Sequence, residues 1–138
     1  MFALTLFATG LVQGQQWNKD LNAALAKSGQ QDKLVFLLFS LPDACDICDK
    51  FEKNVIGSEQ FKRFAEANYI LARPDFRESA SFETKADNLL IVEKYNKDGF
   101  FPWVVILDSS GKILGKIGLY KDESPEVYIG KLQSAVKR

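Results

Sequence analysis

Ser40-Leu41-Pro42-Asp43-Ala44-Cys45-Asp46-Ile47-Cys48-Asp49-Lys50 holds both cysteines of the chain, with two residues between them. It follows the unbroken apolar run Leu34-Val35-Phe36-Leu37-Leu38-Phe39, whose length suits a central parallel strand covered on both faces. Pro42 ends that run. From Asp43 the period changes. Ala44, Ile47, Cys48, Phe51 and Val55 recur at three- and four-residue steps, while Asp46, Asp49, Lys50 and Lys53 face away. Asp43 is the candidate N-cap, with Asp46 three residues on as in a capping box. A strand therefore hands Cys45 to a helix start, and Cys48 follows about one turn later on the same face. Sulfurs so spaced can alternate between a dithiol and a tight disulfide.

The whole chain has 138 residues, enough for one domain with a real core. Its 18 basic and 18 acidic residues cancel, which points away from nucleic acid or a general membrane surface as partner. It contains no histidine, so Ser-His and Cys-His nucleophiles and histidine-bearing metal sites are excluded. Two cysteines are too few for a disulfide scaffold or for structural zinc. Both thiols are free for chemistry.

Upstream, residues 1–14 are apolar and uncharged, and the run is too short to span a bilayer. It reads as the h-region of a secretory signal, with Val12 and Gly14 as small residues before a cleavage site at Gln15, although no basic residue precedes Lys19. The alternative is an N-terminal extension packed on the domain, which occupies residues 15–138. Asn18 is expected to cap a first helix through Leu21, Ala24, Leu25 and Ser28, stopped by Gly29.

Downstream, Gly57 closes the helix that carries the cysteines, and Ser58 caps a short one with Phe61, Phe64 and Ala65. Tyr69-Ile70-Leu71-Ala72 is a brief strand before Pro74, and residues 75–81 are loop. Phe82, Ala86, Leu89, Leu90, Val92 and Tyr95 share helical spacing. Pro102 to Asp108 and Lys112 to Gly118 form a hairpin about Ser109-Ser110-Gly111. Ser124, with Pro125 at the first helical position, starts a last helix whose buried side is Val127, Tyr128, Leu132, Ala135 and Val136. Two parallel crossovers followed by a hairpin make an α/β domain, a four-stranded mixed sheet between helices.

That order, the C-x-x-C at the end of the first strand, and Phe101-Pro102 opening the Val104-Val105-Ile106-Leu107-Asp108-x-x-Gly111-Lys112 hairpin resemble the thioredoxin superfamily. The resemblance runs from about Trp17 to the C-terminus and is strongest to exported members of the DsbH and DsbD C-terminal-domain types. It implies a thioredoxin fold and a thiol–disulfide oxidoreductase acting on disulfide-containing proteins. It further implies re-reduction by a membrane electron donor of the DsbD type, a periplasmic location, and no metal or organic cofactor. A monomer is expected. By the same resemblance Pro102 is cis and lies against the cysteines, and the backbone of Phe101 pairs with substrate like an added strand. Read without it, Pro102 is a trans proline at an edge-strand start. Trp103 is a platform beside the site or simply core.

The chemistry assigns roles within the pair. Cys45 at the helix N-terminus faces the positive end of the dipole and unpaired N–H groups, which favour the thiolate and make it the nucleophile. Cys48, one turn inside, is shielded and resolves. Two buried core cysteines are the alternative. Asp43, Asp46 and Asp49 oppose the thiolate by like charge, so the Cys45 pKa is expected to fall little. That favours a reductase or isomerase over a strong oxidant. Ala44 stands where relatives usually have tryptophan, which leaves that substrate-contacting position without a ring. Leu38 stands where thioredoxin has a buried acid, and Phe100 replaces a frequent glycine. Slower or more selective exchange follows from these three departures. A binding module using Ala44, Phe101 and Trp103 without turnover, or a redox sensor, are the competing readings.

Overall fold

The computed structural model describes residues 15–42 and 44–136. The signal-like stretch 1–14 and Asp43 lie outside the described residues.

Five strands, Trp17–Asn18 (β1), Leu34–Phe39 (β2), Tyr69–Ala72 (β3), Trp103–Leu107 (β4) and Ile113–Ile117 (β5), form one mixed sheet in the order β1-β3-β2-β4-β5. β2 runs parallel to β3 and antiparallel to β4, and β4 and β5 form the expected hairpin. The sheet is the thioredoxin arrangement with one strand more than the four expected. The addition is β1, only two residues long, which pairs parallel with β3 through Trp17 and Leu71. So short a strand carries no alternation to read.

Five α-helices flank the sheet: Leu21–Gln31 (α1), Asp46–Phe51 (α2), Glu59–Asn68 (α3), Phe82–Tyr95 (α4) and Pro125–Ala135 (α5). A π-helical turn, Glu52–Ile56, continues α2, with the Gly57 N–H bonding the Glu52 carbonyl at 2.8 Å. Side chains of β2 alternate between two cores. Phe36 and Leu38 join Phe51, Val55, Ile56, Phe61, Tyr128 and Leu132 on one face. Val35, Leu37 and Phe39 join Leu21, Ala24, Tyr95 and Leu107 on the other. A strand buried on both faces must be apolar throughout, and all but the first residue of β2 are fully buried.

Several caps agree with the sequence. Ser58 and Ser124 each accept a backbone N–H in the first turn of α3 and α5. The first helix differs. Its cap is Asp20, whose carboxylate accepts the Asn22 N–H, while Asn18 is a strand residue whose amide donates to the Leu71 carbonyl. Gly29 lies inside α1, which ends at Asp32 in the left-handed conformation. Aspartate tolerates that conformation nearly as asparagine does, so the helix needs no glycine to stop.

Two amphipathic faces are rotated from expectation. On α4 the buried residues are Asn88 and Tyr95, and Phe82, Leu89 and Leu90 are exposed. Asn88 is held inward because its amide donates to the Asp75 carbonyl at 2.7 Å. On α5 Tyr128 and Leu132 are buried but Val127 is exposed.

Candidate active site

β2 ends at Phe39, and Ser40 to Ala44 carry the chain to Cys45 at the start of α2. The N-cap is Cys45 itself rather than Asp43. Its sulfur accepts the Cys48 N–H at 3.1 Å, the place an aspartate or serine oxygen would take. Cys45 and Cys48 are joined as a disulfide with their Cα atoms 5.2 Å apart. Cys45 is half-buried and Cys48 is 2% exposed, so the first cysteine is partly open to solvent and the second belongs to the core. That inequality comes from the helix: Ile47 and Cys48 turn toward the sheet with Phe51, while Asp46, Asp49 and Lys50 are exposed. Ala44 is also exposed.

The register Phe39–Trp103 sets the start of β4 at the same end of the sheet. The Phe101–Pro102 peptide bond just before it is cis. Pro102 is buried, and Phe101 and Trp103 are half-buried. Trp103 packs against the core that also holds α1 and α4 residues, and its ring meets Phe100 at 5.5 Å. Phe101 is held edge-on to Phe76 at 5.7 Å, and Phe76 also meets Phe39. Leu38 is fully buried among Phe51, Val55 and Ile56, an apolar floor beneath the helix.

A group of residues that the sequence reading did not single out stands on the other side of β2. Arg73, just past β3, makes an ion pair with Glu52 in which a single guanidinium nitrogen, Nη2, donates to both carboxylate oxygens at 2.9 Å each. Its guanidinium lies 4.2 Å from the Trp17 ring centroid, and its Nε is buried with no hydrogen-bond partner. Beyond it, Asp75 accepts both the side chain and the backbone N–H of Arg77. The Arg77 hydrogen bonds hold the Asp75 carboxyl down at about 2. These residues, with Pro42, Pro74 and Phe76, line a cavity of about 340 Å³ that reaches Cys48. Glu52 stands four residues after Cys48 and so on the same helix face, a signal present in the sequence. Arg73 and Trp17 have no such local signal, because two parallel crossovers bring them together.

Among the described residues no group of three His, Cys, Asp or Glu could hold a metal ion, and no helix is long and apolar enough to cross a membrane.

Known proteins share this fold. A family model described as thioredoxin-like matches residues 16–109. The chain is 30% identical over 124 residues to the disulfide bond reductase DsbH of Chlamydia pneumoniae, across 88% of this chain and 73% of that protein. The solved structure of a DsbH oxidoreductase superposes with a TM-score of 0.79 at 26% identity, covering 97% of this chain and 92% of the other. The oxidised C-terminal domain of Neisseria meningitidis DsbD shares the fold, with a TM-score of 0.59 at 20% identity over 83% of this chain and 92% of that one.

Proposed function

The chain belongs to the thioredoxin-like family and is a thiol–disulfide oxidoreductase; from that premise we propose that it reduces or isomerises protein disulfides, with Cys45 as nucleophile and Cys48 as resolving thiol. In the reduced protein the Cys45 thiolate attacks one sulfur of a substrate disulfide, and the other substrate sulfur leaves as a thiolate that takes up a proton. Cys48 then gives up its proton and attacks the Cys45 sulfur. The second substrate thiol is released and the Cys45–Cys48 disulfide remains, two electrons having passed to the substrate. A donor of the DsbD type returns the electrons. The protein works in an oxidising compartment, the periplasm, a reading supported by the signal-like apolar stretch at residues 1–14.

The observation that carries this reading is the unequal pair: a half-buried cysteine whose sulfur caps a helix and a fully buried partner one turn on. The backbone of Phe101 docks the substrate chain, with Pro102, Trp103 and Ala44 around it. Asp46, together with Asp43, keeps the thiolate from being strongly stabilised, which favours donation of electrons over their capture.

Insulin reduction by the protein, with a glutathione titration of the pair, tests the proposal. Turnover should vanish in both Cys45→Ser and Cys48→Ser, and Cys48→Ser should accumulate mixed disulfides through Cys45. Turnover that survives either substitution, or adducts on Cys48 instead, would overturn it.

A further inference from the structure

The disulfide has a different neighbour on each side. In the sheet order, β4 with Phe101 and Pro102 lies on one side of β2, and β3 and β1 lie on the other. On that second side is the 340 Å³ cavity, one of whose walls is Cys48. We propose that this cavity is a specificity subsite that takes an uncharged aromatic side chain of the substrate polypeptide, one or two residues from the cysteine under attack. The inference rests on the exchange chemistry proposed above and names a substrate class for it.

Three observations support the assignment. The first is reach. An extended chain advances about 3.3 Å per residue, and the Cys45 and Cys48 Cα atoms are 5.2 Å apart. A substrate whose cysteine engages Cys45 can therefore set a neighbouring side chain over Cys48 and into the cavity.

The second is shape. Trp17 and the Arg73 guanidinium are flat groups stacked 4.2 Å apart, and Phe76, Pro74 and Pro42 complete apolar walls. Flat, apolar walls suit a ring, which buries more surface for fewer lost torsions than a flexible chain.

The third is charge. Arg73 is ion-paired with Glu52 through Nη2, and Asp75 with Arg77 and Lys19, so these lining charges already have charged partners within the protein. A charged guest would find no free counter-ion among them. Asp49, the remaining lining charge, is exposed and negative, and it disfavours an acidic neighbour.

The test uses homodimeric peptides joined by one disulfide, carrying Phe, Gly or Glu one or two positions from the cysteine on either side. Hydroxyethyl disulfide, too small to fill the cavity, serves as the reference. At one position or more, kcat/KM for the Phe peptide should exceed that for Gly by about tenfold, with Glu below Gly. In Trp17→Ala and Arg73→Gln the Phe-to-Gly ratio should fall toward unity. Equal rates for Phe and Gly at every position in the unsubstituted protein, with hydroxyethyl disulfide reduced, would overturn the subsite alone. A Phe preference undiminished in both variants would overturn its location. Failure to reduce hydroxyethyl disulfide or any peptide would instead remove the exchange reading on which the subsite depends.

Discussion

The Cys48 N–H donates to the Cys45 sulfur across 3.1 Å, so the first residue of the redox pair is also the cap of the helix that carries the second. The donor that closes the helix end in the oxidised protein is the one that faces a thiolate once the bond is reduced. Capping and thiolate stabilisation are one interaction, and Cys45 cannot be replaced without touching the helix end, whereas a substitution at Cys48 keeps the backbone donor.

Cys45→Ala should therefore be less stable than Cys45→Ser, although neither can form the disulfide. Serine restores an acceptor for the Cys48 N–H and alanine does not, a difference of about 1 kcal/mol. Chemical denaturation of the two variants, each compared with reduced wild type, measures it.

Asp46→Asn and Asp49→Asn should each lower the Cys45 thiol pKa, because each removes a negative charge near the sulfur. Both carboxylates lie in the first turn of α2 and are exposed, so the effect shrinks as salt rises. Ultraviolet absorbance of the thiolate against pH, at low and high salt, reads both. A rise in pKa would contradict the like-charge argument.

Asp75 titrates near 2 rather than at the ordinary 3.8 because Arg77 bonds its carboxylate. A depressed acid stabilises the fold above its unfolded pKa, and that contribution is lost as pH falls from about 4 through the folded value. Arg77→Ala should bring the Asp75 carboxyl back toward its ordinary value, which a carboxyl-carbon NMR titration detects. The acid side of the stability profile should then lose part of its slope between the two values.

Gly115→Ala should destabilise the protein by about 1–3 kcal/mol. A methyl at this position in β5 would come within 2.6 Å of the Ala135 carbonyl oxygen, a backbone atom at the end of α5 that cannot rotate away. Thermal or urea unfolding gives the value, and a neutral result would mean that the α5 end moves freely against the hairpin.

The parts of this molecule that were legible in advance are those whose signal is local. The apolar run 34–39 and the Ser58 and Ser124 caps needed only their own neighbourhoods to be read. The cis bond before Pro102 was reached only through family resemblance, since proline alone permits either isomer. What the sequence concealed depends on pairing between distant segments. Asn18 has the chemistry of a cap, but it was drawn into a strand by the edge of β3. Leu89 and Leu90 follow the helical period, yet tertiary contacts turned Asn88 inward instead. The Trp17–Arg73–Glu52 group joins three elements that are far apart in the chain, and no single window contains it.

The wide turn at Glu52–Ile56 has a bearing on how the sulfurs are aimed. A π turn is the mark of one surplus residue in an otherwise regular helix, and each residue of a helix accounts for about 100° of rotation. Here the surplus lets Phe51, Val55 and Ile56 all point inward. Deleting one residue between 52 and 56 would rewind the segment to ordinary pitch, with Cys48 keeping its azimuth relative to Gly57 and one inward side chain of the three lost. The wide turn thus takes up one extra amino acid locally, and the redox pair stays aimed over the sheet as an unbroken helix would aim it.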